Sequence, residues 1–348
     1  MDERRALLVD AFADEPLAGN AAGVVPDAVG LSDGQMQAVA RELNASETAF
    51  LRQSETADRR IRYFTPTQEV DLCGHATIAS HALLAAEELA DGTYTLETNA
   101  GTLDIELDGE AVWMTQNPPE IREVDPGYDA VADALGVRES ALTGLRDDLP
   151  LARASTGLPF LMVPAEYLSD LSKMDPDMEA IEALADDHDC TGVYVFTFDT
   201  LASESTLHAR MFAPGAGVPE DPVTGTASGA CGAYLDRFGA LDPTPPEMIF
   251  EQGHFLDRDG RARRRTPRAR TRRRRDHPSL TASLRVGFTL GRLSPRPDSD
   301  SVLSLAGEVL QSTGVVCEVS PVARGRHTAG HCCALTETGG GTDRKGRE

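Results

Sequence analysis

The sequence has little lysine, few aromatic residues and no long apolar run. Before residue 258 a single lysine, Lys173, stands in a chain of 348, and aromatic residues make up 5% with one tryptophan. No segment approaches the ~18 consecutive apolar residues of a membrane span. The opening "MDERRALLVDAFADEP" has no apolar signal-peptide core. We therefore expect a cytoplasmic chain with no membrane partner. Six cysteines (Cys73, Cys190, Cys231, Cys317, Cys332, Cys333) show no paired metal spacing and no secretory context, which points to free thiols and no metal. There is no dinucleotide fingerprint, phosphate loop or zinc pattern, since the glycines of "GTASGACG" have the wrong spacing. What is present is 41% apolar residues, enough to fill one large domain or two of ordinary size.

The charge has a boundary. Residues 258–348 carry 19 basic and 9 acidic side chains, against 14 and 47 in residues 1–257. An acidic body of this kind suits a high-salt cytoplasm, because dense carboxylates hold water when salt screens their repulsion. A halophilic source is expected, and the acidity then says nothing about a partner's charge.

Along the acidic body, strands and helices alternate. "SDGQMQAVARELN" reads as a helix opened by a Ser32/Gln35 capping box, with Met36, Val39 and Leu43 on one face. "ALLVDAF", "ETAFL" and "RIRYF" read as strands. "HATIASHALLAAEEL" is helical in period but small and apolar nearly all round, so it should be buried. "TYTLETN", "GTLDIEL" and "EAVWMTQ" form a meander with a hairpin turn at Asp108-Gly109, and Pro118-Pro119 closes the unit.

The second half repeats this plan. Helices are expected near 128–136 and 176–185, then strands "TGVYVFTF" and "TLHARMF", a small-residue helix from about Gly225 to Phe238, and the strand "EMIFEQG". Arg62, Phe64 and Pro66 match Arg210, Phe212 and Pro214, and Cys73-Gly74-His75-Ala76 matches Thr224-Gly225-Thr226-Ala227. A duplicated strand, loop and buried helix implies two similar lobes about a pseudo-twofold axis, with the active site where the copies face each other. Each copy puts a glycine where a loop enters a helix, whose first turn offers unpaired N–H groups and partial positive charge. Two such ends aimed at one cleft would clamp a carboxylate. Either glycine alone could equally serve tight packing.

The stretches "VDAFADEPLAGNAAGVV", "NASETAFL", "IRYFTPTQEVDLCGHATIASHALL", "EDPVTGTASGACGAYL" and "FEQG", in this order, resemble the phenazine-biosynthesis isomerase-like (PhzF) family, of the diaminopimelate epimerase and proline racemase superfamily. The resemblance covers roughly residues 5–257. It implies an α+β (mixed α/β) fold of two pseudo-symmetric lobes, each a mixed sheet or barrel around a central helix, spanning residues 1–118 and 119–257. It also implies cofactor-independent proton transfer on a small carboxylic acid, and a homodimer.

On this resemblance Glu47 is the proton carrier, a role that needs burial to raise its pKa towards the working pH. His75 and Asp221 match the other polar active-site positions, although on the residues alone a histidine opening a buried helix is more often a cap, and Asp221-Pro222 could be a turn. Gly74 and Gly225 carry over as backbone donors to substrate, Thr226 stands where serine is common, and Asn20 is a nearby polar contact. Cys73 holds the place of a thiol base in the racemase branch, but its twin is Thr224, whose hydroxyl is too weak an acid for a mirror-image base. A structural Cys73 is the favoured reading. An amino-acid racemase or epimerase remains the alternative within the superfamily.

The tail breaks the pattern. Symmetry asks for further alternating strands after "FEQG", yet residues 258–275 hold 11 arginines, a density not expected of a core-facing strand. A basic block can neutralise phosphates, but no aromatic platform or nucleic-acid-binding fold accompanies it, and no nucleic-acid partner is expected. GC-rich DNA read in a shifted frame over-produces Arg, Pro, Gly, Ala and Ser. We therefore expect a frameshift near residues 258–263, a truncated second lobe and a poorly ordered tail over 258–348. A non-catalytic product is then a third reading.

Overall fold

The computed structural model describes residues 4–87, 89–143 and 149–265, together with the backbone of Leu284–Thr289 and Val315–Glu318. The first lobe contains β1 (Arg4–Ala11), β2 (Asn20–Val25), α1 (Asp33–Leu43), β3 (Thr48–Arg52), β4 (Arg59–Phe64), β5 (Glu69–Val70) and α2 (Gly74–Glu87). It ends in the meander β6 (Gly92–Thr98), β7 (Gly101–Asp108) and β8 (Ala111–Gln116). After β9 (Glu120–Glu123) the second lobe runs α3 (Tyr128–Leu135), α4 (Ser140–Thr143), β10 (Ala152–Ser155), β11 (Pro159–Pro164), α5 (Leu168–Leu171), α6 (Met178–Asp187) and β12 (Gly192–Thr197). Then come β13 (Leu207–Ala213), β14 (Val218–Asp221), α7 (Gly225–Arg237), β15 (Glu247–Gln252), β16 (Gly260–Arg265), β17 (Leu284–Thr289) and β18 (Val315–Glu318).

The strand pairings repeat one for one. In the first lobe β1 and β2 are antiparallel, β2 and β3 parallel, β3 and β4 antiparallel, β4 and β6 parallel, and β6, β7 and β8 antiparallel in turn. In the second, β10 to β17 follow the same sequence of pairings. β8 and β17 are therefore equivalent strands, and they pair antiparallel with each other from Ala111↔Thr289 to Gln116↔Leu284.

Each sheet curls around one helix. α2 packs on β1, β2, β3 and β8, while α7 packs on β10, β11, β16 and β17, and the two helices touch. Their small side chains let the sheets approach: Ala76, Ala79 and Ala82 of α2 and Ala227 and Ala230 of α7 are fully buried. The hydroxyls this places in the core are satisfied within the helix. Thr77 and Ser80 of α2 donate to Cys73 O and Ala76 O at 2.6 Å each. His81, also buried, contacts Thr77 O at 2.9 Å, and burial pushes its imidazole down to about 4.

The duplicated arginine has a structural reason. Arg62 grips Glu69 through Nε and Nη2 at 2.7 and 2.6 Å, with its guanidinium 5.2 Å from the Phe64 ring. Arg210 grips Glu220 in the same way at 2.8 and 2.7 Å, over Phe212 at 4.9 Å. Each clamp fixes the short strand, β5 or β14, that leads into a buried helix. Bidentate Arg–carboxylate pairs supply direction as well as attraction.

The expectation that arginine-dense sequence cannot form a core-facing strand is corrected at β16. Gly260, Ala262 and Arg264 point inward in strict alternation, in register with β15 from Glu247↔Arg265 to Gln252↔Gly260. Arg264 is 2% exposed, and Nη2 reaches Asp236 Oδ2 at 2.5 Å. Its aliphatic stem lies where any side chain on Gly232 would collide, since a Cβ there would sit 2.2 Å from Arg264 Cδ. The missing side chain at 232 makes the room, and the carboxylate answers the charge. The second lobe thus continues past residue 257, and β17 completes the meander that symmetry demands. The rest of the tail expected over 258–348 lies outside the described residues, apart from β18, which pairs parallel with β1.

Candidate active site

The acid at the centre of the site is presented by a turn. Asn44 caps α1 in the left-handed conformation (φ 50°), its N–H bonded to Ala40 O, and reverses the chain. Gly23 N donates to Glu47 O at 2.9 Å, which ties the turn to β2. The Glu47 side chain, 20% exposed, places Oε2 3.4 Å from Nε2 of His75, which is 10% exposed. Ser46 Oγ lies 3.3 Å from that same nitrogen. On its other side His75 Nδ1 lies 3.4 Å from Cys73 Sγ. Glu47, His75 and Cys73 form a chain of three side chains able to exchange protons across the first turn of α2. Burial, and then the negative charge of Glu47, hold the Cys73 thiol well above its ordinary range.

The second lobe supplies Asp221. Asn20 Nδ2 donates to its Oδ1 at 2.8 Å and to Val223 O at 3.0 Å, while Thr224 Oγ1 donates to its Oδ2 at 2.5 Å. Gln252 secures the loop, donating from Nε2 to Asp221 O at 2.7 Å and to Thr224 Oγ1 at 3.1 Å, and accepting from Thr224 N at 3.2 Å. Burial raises the Asp221 carboxyl above its ordinary value and the charge of Glu47 adds to this, while His75, Thr224 and Asn20 pull the other way.

The two helix starts meet at the seam. A Cβ on Gly74 would lie 3.4 Å from Thr226 Oγ1 and 3.5 Å from Met114 Cε. Thr156 Oγ1 donates to Gln116 Oε1 at 2.9 Å, bracing the end of β8 beside the first turn of α7. Glu47, Cys73, His75, Gly74, Asn20, Asp221, Gly225 and Thr226, all singled out in the sequence, thus fall along one seam. Cys190 and Cys231 are separate and buried, as small core residues are. Sequence reading assigns no role to Gln252, Ser46, Gln116 and Thr156. Gln252 and Ser46 stand inside the motifs "FEQG" and "NASETAFL", and that is the signal that could have found them. Nothing marks Gln116 or Thr156.

Two surface hollows of about 320 Å³ lie elsewhere on the second lobe, one beside Glu182, Asp186 and Cys190, the other beside Glu123, Tyr128 and Leu151, and neither includes a residue of this cluster. Among the described residues no helix is long and apolar enough to cross a membrane.

Known proteins share this architecture. The family model described as phenazine biosynthesis-like protein (PhzC-PhzF) matches residues 9–277. The uncharacterized isomerase YfhB of Bacillus subtilis is 38% identical over 268 residues, 75% of this chain and 90% of its own. The uncharacterized isomerase YddE of Escherichia coli strain K12 is 39% identical over 262 residues, 72% of this chain and 86% of its own. Among solved structures, a PhzF-family phenazine biosynthesis protein from Bacillus anthracis superimposes with a TM-score of 0.73 at 32% identity, over 82% of this chain and 95% of that one. With the family model spanning both helix starts and both halves of the seam, the chain belongs to the phenazine biosynthesis-like (PhzC-PhzF) family, among relatives named as isomerases.

Proposed function

We propose that the protein is an isomerase that moves a proton between two carbons of a small carboxylic acid without a cofactor. The observation that carries this reading is the convergence of Glu47, His75 and Asp221 at the seam between the N-terminal turns of α2 and α7. Unpaired N–H groups at Gly74 and Gly225 hold the substrate carboxylate, where the helix dipoles favour negative charge. Glu47 removes the proton from one carbon and returns it to another. His75, within reach of its carboxylate, stabilises the charge during transfer, and Asp221, held by Asn20 and Thr224, fixes the opposite wall.

The racemase alternative needs two opposed bases about one carbon. Cys73 faces a lobe in which its twin is Thr224, whose hydroxyl already donates to Asp221, so the second base is missing. The family resemblance further leads us to expect a homodimer, which light scattering at high salt would test.

Hydrogen–deuterium exchange followed by NMR, in D2O at high salt with a panel of small carboxylic acids, tests the reaction. Deuterium entering a substrate carbon with wild type but not with Glu47→Gln supports it. Exchange that persists unchanged in a folded Glu47→Gln overturns the assignment of the base, and deuterium confined to the α-carbon of an amino acid, with inversion, favours the racemase.

A further inference from the structure

The proton-transfer reading uses Glu47 and His75 but leaves Cys73 idle. Yet the three side chains are the one group among the described residues whose carboxylate, imidazole and thiol donor atoms all lie within 4.8 Å of one another. Those are the ligand types of zinc sites. Around a tetrahedral ion with bonds of roughly 2.0–2.3 Å, donors stand about 3.3–3.6 Å apart. His75 Nε2 is already 3.4 Å from Glu47 Oε2 and 4.0 Å from Cys73 Sγ. Gathering all three on one ion requires the Cys73 or His75 side chain to turn, because Glu47 faces Nε2 whereas Cys73 Sγ stands nearer Nδ1, at 3.4 Å. Glu47 Oε2 is buried with no hydrogen bond, so turning to a metal gives up only its contact with His75.

From this geometry we propose that Glu47, Cys73 and His75 form a binding site for a soft divalent ion of the Zn2+ class, which closes the active site to substrate while bound. Binding displaces the Cys73 thiol proton to solvent and forms a sulfur–metal bond, with no change of oxidation state. The charge also balances. A cation alone would be repelled by the N-terminal turns of α2 and α7, but Zn2+ with one thiolate and one carboxylate is neutral overall. Side-chain exposures of 10% for His75 and 20% for Glu47 leave the ion a way in. Three protein ligands leave a fourth position open to water or a small anion.

Metal binding stands on geometry alone; the loss of catalysis rests on the proton-transfer reading. The test uses Co2+ as a coloured stand-in, on the full chain carrying Cys332→Ser and Cys333→Ser, because "HCC" at residues 331–333 offers competing donors. One equivalent should give a thiolate-to-cobalt charge-transfer band and tetrahedral visible bands, displaced by Zn2+. Cys73→Ser should abolish the charge-transfer band. Glu47→Gln and His75→Gln should each weaken binding by more than about tenfold, the loss that even an outer-shell partner costs a metal site. Cys190→Ser and Cys231→Ser should leave it unchanged. If Cys73→Ser melts early, Cys73→Thr, the residue its twin position tolerates, takes its place. No band at saturating Co2+, a band that survives loss of Cys73, or full affinity in both Glu47→Gln and His75→Gln overturns the proposal. Chelator-reversible inhibition of deuterium exchange by Zn2+ supports its catalytic half. A cobalt band from a protein that exchanges no substrate proton supports the metal site while the proton-transfer reading fails.

Discussion

The carboxamide of Asn20 donates to the carboxylate of Asp221 at 2.8 Å, across 201 residues of sequence and from one lobe to the other. The bond joins the first residue of β2 to the last of β14, so the acid of one repeat is oriented by the other. Asn20 also donates to Val223 O, which spreads the link over the loop that enters α7. Asn20→Ala should therefore leave Asp221 with one fewer donor and weaken catalysis more than stability. The check is kcat and KM, once a substrate is in hand, beside a thermal melt: a fall in Tm with unchanged kcat would assign Asn20 a purely structural role.

Asp221 also makes a prediction about pH. Its carboxyl is raised in the folded protein, chiefly by burial, whereas in the unfolded chain it titrates at about 3.9. A raised acid contributes stability that is full below the unfolded value and is lost as pH rises through the folded one. Asp221→Asn keeps a group able to bond Asn20 and Thr224 but never ionises. Its melting temperature should match wild type below about pH 4 and exceed it increasingly as pH climbs above that value. Melts at constant high salt from pH 4 to 8 decide it, and a gap that does not change with pH would show that Asp221 titrates alike in the folded and unfolded chain.

The Arg210–Glu220 clamp is buried, at 9% and 13% side-chain exposure. Removing one partner strands the other, a loss of about 3–5 kcal/mol. Arg210→Met should be severely destabilised, and Arg210→Met with Glu220→Gln should recover part of the loss. Denaturant unfolding of both variants measures the difference. If the double variant is no more stable than the single one, the clamp's energy lies in the bonds from Arg210 to Leu171 O and Met174 O instead.

Arg264 is the opposite case. Its Nε is buried with no partner, Nη1 faces only the sulfur of Met248, and Asp236 is 28% exposed and can turn to water. Replacing a buried ion pair with well-packed apolar groups is often neutral or stabilising by about 1–4 kcal/mol, and the cost of removing one partner falls away where the other can reach water. Arg264→Met should melt at or above the wild-type temperature. A loss beyond about 3 kcal/mol would show that the Asp236 pair is the larger effect.

The same position bears on the gene. The frameshift expected near residues 258–263 rests on composition alone, since β16 forms there and the family model runs on to residue 277. Resequencing is expected to find a one- or two-nucleotide insertion or deletion there. An unbroken frame in verified DNA, with a purified chain of the mass the 348 residues require, removes the idea.

The fold is legible because the duplication writes the same structural sentence twice. The Ser32–Gln35 capping box forms as expected, and the turn at Asp108-Gly109 joins β7 to β8 with Gly109 at φ 62°. The helices expected near 128–136 and 176–185 appear as Tyr128–Leu135 and Met178–Asp187. β5 and β14 escape a reading of the sequence, since strands of two and four residues leave no period to detect. β16 escapes it for another reason. Its inward residues are a glycine, an alanine and an arginine, so no hydrophobic alternation shows, and the space for the arginine comes from Gly232 on a helix far away in sequence. The site is legible where residues cluster in motifs and illegible where they act across the chain, as Thr156 does through Gln116.

The pairing of β8 with β17 carries a last consequence. Equivalent strands of two repeats meeting antiparallel make the seam resemble the interface of a twofold dimer, in which any residue on one side must appear on the other. A single continuous chain is released from that rule. By register, Thr48 lies opposite Phe64 and Val193 opposite Phe212, so the counterpart of Glu47 is Gly192, which has no side chain at all. Likewise Cys73 answers to Thr224, His75 to Thr226, and Val70 to Asp221. The backbone keeps the symmetry and the side chains abandon it, so the two walls of the seam present different chemistry to anything that enters between them.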